Sequence, residues 1–207
     1  MTLSKERTLK ICEKIRERGL DIQFTTINGV SLKTLDREVM DALTGAGLIR
    51  LYVAPEHGSS YIRNEVMGKN LSDNKIYEFF DMIKDYKDLF VRAFFVVGYP
   101  QETKETLQET YDMVRKIRDS LDSVAMFNLV PYPGTEIFNY CEKHNRLLIP
   151  IEDLHNLETF SNYNYSDNNF VKPFGLEIDE IKEFRDKCHA LVHRRPKSYD
   201  KLSSQKT

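Results

Sequence analysis

Phe90-Val91-Arg92-Ala93-Phe94-Phe95-Val96-Val97-Gly98-Tyr99-Pro100 decides the fold class. The first eight residues are apolar except Arg92, rich in β-branched and aromatic side chains, and run into a Gly-Tyr-Pro that ends a strand. Such a run predicts a parallel strand buried on both faces. Helical periodicity lies on either side of it. Asp73 can cap a helix reaching about Lys87, and Thr103 begins a second one with Leu107, Tyr111, Val114 and Ile117 on one face.

Moving outward, the same order recurs. Leu9, Ile11, Cys12 and Ile15 mark an amphipathic helix over 4–18, stopped by Gly19, and 21–27 follows as a strand ending in Asn28-Gly29. A helix over 36–46, closed by Gly47, precedes a strand over 48–54 that ends at Pro55. Downstream, 123–130 is a fourth strand, stopped by Pro131-Tyr132-Pro133-Gly134, and 135–145 a further helix. This alternation predicts four parallel strands in sequential spatial order, joined by right-handed crossovers, with the helices on one face. The expected fold class is α/β: a partial, half TIM-type barrel of about four β/α units over 1–149. Residues 150–207 are expected to form an irregular extension, polar at 162–169, with one helix over 179–193 and a disordered tail from Pro196.

The chain has 207 residues, 41% of them hydrophobic, enough to bury a sizeable core. Charged residues make up 30% and nearly cancel to a net charge of -2, so no global field gathers nucleic acid or anionic lipid. No apolar run approaches the ~20 residues of a membrane span, and Met1-Thr2-Leu3-Ser4-Lys5 lacks the order of a signal peptide. A cytoplasmic location is expected. Cys12, Cys141 and Cys188 stand far apart, without the short spacings that let thiolates share a metal, and read as buried or reduced thiols. His189 and His193 share a helical face beside Arg194-Arg195 and read as a solvated basic helix end.

In parallel β/α architectures the loops after the strands converge on one rim. Here they read Asn28-Gly29-Val30-Ser31, Glu56-His57-Gly58-Ser59-Ser60, Gly98-Tyr99-Pro100-Gln101-Glu102-Thr103 and Pro131-Tyr132-Pro133-Gly134-Thr135. Glycine for close backbone approach combined with polar side chains suits a nucleoside-like ligand, although Gly and Pro also serve ordinary βα turns.

These motifs, with Ala46-Gly47 between the first two, resemble in order and spacing the later motifs of radical S-adenosylmethionine (SAM) proteins, most nearly those carrying an N-terminal cobalamin-binding domain. The resemblance covers about residues 1–145. It implies a SAM-binding β/α core, a four-iron four-sulfur cluster in the complete enzyme and cobalamin as a further possibility there. The family's Cys-x-x-x-Cys-x-x-Cys loop and its Gly-Gly-Glu-like strand end do not occur in this sequence. Met1-Thr2-Leu3-Ser4 resembles the start of the helix after the third strand, so half of the barrel is expected upstream or on a cysteine-bearing partner chain.

The resemblance also implies site residues. Asn28 and Ser31 match a ribose-contacting strand end, and Glu56 an acidic or amide residue facing the SAM ribose or amine. Lys69 stands where relatives place a cation for the methionine carboxylate, with Arg63 as a competitor, and Gly98 and Pro100 bring backbone near the adenine. Ser31 and Lys33 replace the Asp or Arg common among relatives, and His57 a usual Ser or Thr. No metal ligand and no catalytic residue is assigned to this chain. The leading expectation is part of a radical SAM enzyme that cannot cleave SAM alone. The alternatives are a non-catalytic interaction module or split-enzyme subunit and, more weakly, a phosphate-binding barrel enzyme.

Overall fold

Most helices begin where a side-chain oxygen satisfies a free backbone N–H. Ser4 accepts from Arg7 N–H at 3.3 Å to start α1 (Lys5–Glu17), and Asp36 accepts from Val39 N–H at 2.9 Å to start α2 (Arg37–Gly45). The cap of α3 (Asp73–Met82) is Ser72, not Asp73: Ser72 accepts from Lys75 N–H, while Asp73 is the first helical residue and pairs with Arg63. A reciprocal Thr103–Thr106 capping box opens α4 (Lys104–Ile117), Thr135 caps α5 (Glu136–Lys143), and α6 covers Ile178–Ala190. The structure, a computed structural model, describes residue 2, residues 4–149 and residues 169–192. The polar stretch at 162–168 and the tail from Pro196 lie outside the described residues.

Strands β1 (Phe24–Thr25), β2 (Leu48–Glu56), β3 (Phe90–Val97) and β4 (Ser123–Asn128) form one all-parallel sheet in the order β1-β2-β3-β4. With its covering helices this is the α/β half-barrel expected from the sequence. β1 is much shorter than the 21–27 expected. Among the described residues it has a neighbour on one side only; it is held by Phe24 N–H to Gly47 O and Thr26 N–H to Arg50 O, and shifts register between its two residues.

The two sheet faces differ. Leu51, Val53, Val91, Ala93, Phe95, Val97, Val124 and Met126 are buried in one core with Leu43, Phe79, Phe80, Val114 and Ile117 from the helices. On the other face Arg50, Tyr52, Arg92, Phe94 and Phe127 are half-buried. Their rings meet edge to face, Tyr52–Phe94 at 5.6 Å and Phe94–Phe127 at 5.2 Å between centroids, with Arg92 5.4 Å above Tyr52. β3 is therefore fully buried along one face, while on the other only Phe90 is buried and Arg92, Phe94 and Val96 are half-buried. Aromatic residues on its open face make the run read as apolar throughout and conceal the alternation.

The C-terminal part returns to the sheet. Leu147 and Val171 form an antiparallel bridge, and Val171, Cys141, Leu129, Tyr99 and Ile62 make a second small core beside the ends of the strands. α6 adds Ile181, Phe184 and Cys188 to the main core. His189 is not the solvated residue its basic neighbours suggested: it is half-buried and its Nε2 accepts Met126 N–H from β4 at 3.4 Å.

Candidate functional site

The end of β2 carries two irregularities at one residue. Register with β3 shifts between Val53 and Glu56, and Glu56 has φ 72°, a left-handed conformation that costs a non-glycine residue about 1–3 kcal/mol. This backbone turns the Glu56 carboxylate, 18% exposed, to an ion pair with Lys69 Nζ at 2.7 Å. Lys69 sits between Gly68 and Asn70, both with positive φ, in the turn after a π-helical segment, Tyr61–Val66. Beside them, burial pushes the Tyr99 phenol well above its ordinary range, helped by the charges of Glu56 and Glu102.

Arg63 is no rival for Lys69. It is fully buried, donating Nε–H to Leu71 O, Nη1–H to His57 O and Gly58 O, and Nη2–H to the Asp73 carboxylate. A planar guanidinium used on four sides is a loop anchor.

Gly98 and Pro100 are buried in the loop after β3. Gly98 has φ 89°, its N–H donates to Glu102, and Pro100 O accepts Phe174 N–H at 2.9 Å. Asn28 and Ser31 are exposed at the end of β1, where Ser31 Oγ accepts Lys33 N–H to cap a short 3-10 turn. Among the described residues, no hydrogen bond joins Asn28 or Ser31 to the Glu56–Lys69 pair. Tyr132, in the loop after β4, is 42% exposed.

Sequence reasoning missed the pairing of His57 with Glu102. Both are completely buried, with His57 Nε2 2.7 Å from Glu102 Oε1. The only signal was His57 in place of a small polar residue. Glu102 gave none, because glutamate is almost never fully buried unless paired.

A cluster does not fit the cysteines. Cys12 and Cys188 lie in the main core and Cys141 in the second one, all three fully buried. Burial pushes all three thiols up, Cys141 to about 11 and Cys188 to about 12, away from the thiolate that binds metal. Among the described residues no three His, Cys, Asp or Glu side chains are placed to hold a metal.

Residues 2–114 match the sequence profile of the Radical SAM superfamily. The chain belongs to that superfamily. An uncharacterized methyltransferase of Pyrococcus horikoshii is 30% identical over 71% of this chain and 31% of its own length. The anaerobic magnesium-protoporphyrin IX monomethyl ester cyclase of Cereibacter sphaeroides is 27% identical over 83% of this chain and 25% of its own length. This radical SAM chain thus spans about a third or less of these two relatives. Its fold is that of the radical SAM methyltransferase TsrM of Kitasatospora setae, a structure with cobalamin and a [4Fe-4S] cluster bound: TM-score 0.58, 16% identity, 89% of this chain and 40% of that one. The superfamily implies SAM and a four-iron four-sulfur cluster. The Glu56–Lys69 pair fits the first; the described residues do not fit the second. No helix among the described residues is long and apolar enough to cross a membrane.

Proposed function

We propose that this chain supplies the SAM-facing C-terminal half of a radical SAM core, working in the cytoplasm, with the cluster held by a cysteine-bearing half upstream or on a second chain. The observation that carries this reading is the Glu56–Lys69 pair at a strained strand end. A carboxylate and an ammonium 2.7 Å apart match the amine and carboxylate of the methionine part of SAM, each exchanging its neighbour for the ligand group of opposite charge. Glu56 can also accept from ribose hydroxyls. Gly98 and Pro100 would offer backbone at close range to the adenine, and Asn28 and Ser31 would approach the ribose from the end of β1. In this arrangement the chain orients SAM and keeps water from it, while the hard chemistry belongs to the cofactors. Cobalamin, held by TsrM, would enter with a further domain.

The interaction-module reading draws its support from the β1 side, where Leu20, Ile22 and Ile27 are exposed beside a two-residue edge strand. The two readings converge if the partner joining that edge is the cysteine-bearing half.

Calorimetry with SAM on the protein joined to that half tests the site. Glu56→Ala should weaken SAM by about one to two decades, the loss of a charged hydrogen bond. Glu142→Ala, on the exposed side of α5, should change little. Normal SAM binding by a folded Glu56→Ala variant overturns the assignment.

A further inference from the structure

Glu56 ends β2 and Gly98–Pro100 follow β3, yet one buried chain of hydrogen bonds runs between the loops after these two strands. Ser59 N–H donates to His57 Nδ1 at 3.0 Å, and His57 Nε2 lies 2.7 Å from Glu102 Oε1. Glu102 Oε2 accepts Gly98 N–H and, at 3.2 Å, Tyr99 N–H. Because His57 Nδ1 accepts from a backbone donor, the imidazole proton sits on Nε2 and points at Glu102. Backbone contacts fix the His57 loop from its other sides. Arg63 holds the carbonyls of His57 and Gly58, Thr110 Oγ1 accepts Gly58 N–H at 3.0 Å, and a Cβ on Gly58 would stand 2.2 Å from Thr110 Cα.

We propose that His57 and Glu102 are positioning residues, a buried clasp that sets the spacing between Glu56 and the Gly98–Pro100 backbone and so the fit of the ligand between them. This rests on the SAM reading above. Neither side chain reaches solvent, since both are 0% exposed, so neither touches the ligand directly. They act through the loops. A fully buried carboxylate that accepts two backbone N–H groups and an imidazole N–H cannot give up one donor without loss, so the clasp holds or fails as a unit.

Two substitutions divide the imidazole between its nitrogens. His57→Gln keeps a donor at the reach of Nε2, whereas His57→Asn keeps an acceptor at the reach of Nδ1 and leaves Glu102 without its partner. Amide exchange needs no SAM. The clasp requires Gly98 and Tyr99 amides to lose protection in His57→Asn and to keep it in His57→Gln, with the α2 amides unchanged in both. Unaltered exchange at Gly98 and Tyr99 in His57→Asn overturns the clasp.

Calorimetry on the protein joined to its cysteine-bearing half then tests positioning. His57→Gln should bind SAM like the unsubstituted protein, and His57→Asn, compared at matched thermal stability, about tenfold or more weaker. Equal affinities would overturn positioning even if exchange supports the clasp. If the unsubstituted protein itself fails to bind SAM, the reading of the site falls, and exchange alone judges the coupling of the loops. Should His57→Asn not fold, the 15N signals of the His57 ring in the unsubstituted protein decide: they must move on SAM binding while those of His189 stay, and unmoved His57 signals in a SAM-bound protein sink the proposal.

Discussion

At one edge of the sheet, β1 offers two paired residues flanked by Ile22 and Ile27, 42% and 62% exposed. At the other, β4 lies against α6, which buries Ile181, Phe184 and Cys188 and lays His189 on the Met126 N–H. One edge is closed by the chain itself, whereas among the described residues no strand lies beyond the other. An open sheet edge presents unpaired backbone groups that invite pairing. The β1 side is the one on which the cysteine-bearing half is proposed to join.

The largest test of this difference is a matched pair of truncations. Phe184→Ala should cost about 3–5 kcal/mol, because it opens a cavity between α6 and the sheet. Ile22→Ala, a truncation of an exposed residue, should stay within about 0.5 kcal/mol in the free chain. Denaturant titration compares them, and similar losses would mean that the β1 edge is as closed as the β4 edge. A smaller effect is expected at Gly47, whose φ is 104° and whose added Cβ would stand 2.0 Å from Ile22 O. Gly47→Ala should cost about 1–3 kcal/mol and release β1 from β2, seen as faster exchange at Phe24 and Thr26 with β3 and β4 unaffected. Faster exchange confined to β4 instead would reverse the comparison.

The smallest effect is the pH dependence at the closed edge. Burial lowers the pKa of His189 below its usual 6.5, with Arg185 and Arg92 lowering it further and Asp186 opposing them. The unfolded chain then takes up the proton first. Stability from this residue is complete above about 6.5 and is lost as pH falls through the lower folded value. Thermal denaturation should therefore show a decline below about pH 6.5 that His189→Gln removes, and an unchanged decline in that variant would show that His189 is not its source.

Much of the fold was legible because it depends on local rules. The breaks at Gly19, Gly47, Pro55, Gly98 and Pro131 and the caps at Ser4, Asp36, Thr103 and Thr135 place the elements within a few residues. The errors share a cause. β1 shrank because its pairing depends on a neighbour strand, β3 kept an open face because its aromatics look equally apolar on both sides, and His189 was misread because its basic neighbours concealed the β4 contact. At the site, Glu56 and Lys69 could be named singly, whereas their 2.7 Å pairing, across 13 positions of chain, could not.

By itself the sequence determined the alternation of helices and strands, the parallel order that follows from it, and the turns that end the strands, since periodicity and turn chemistry are written in neighbouring residues. Only the tertiary structure decided that Arg63 anchors a loop while Lys69 meets Glu56, that His57 and Glu102 join two loops in the buried interior, and that α6 covers the β4 side of the sheet. Those outcomes depend on burial and on contacts between residues far apart in the chain, and a buried charge is tolerable only where such a contact supplies its partner.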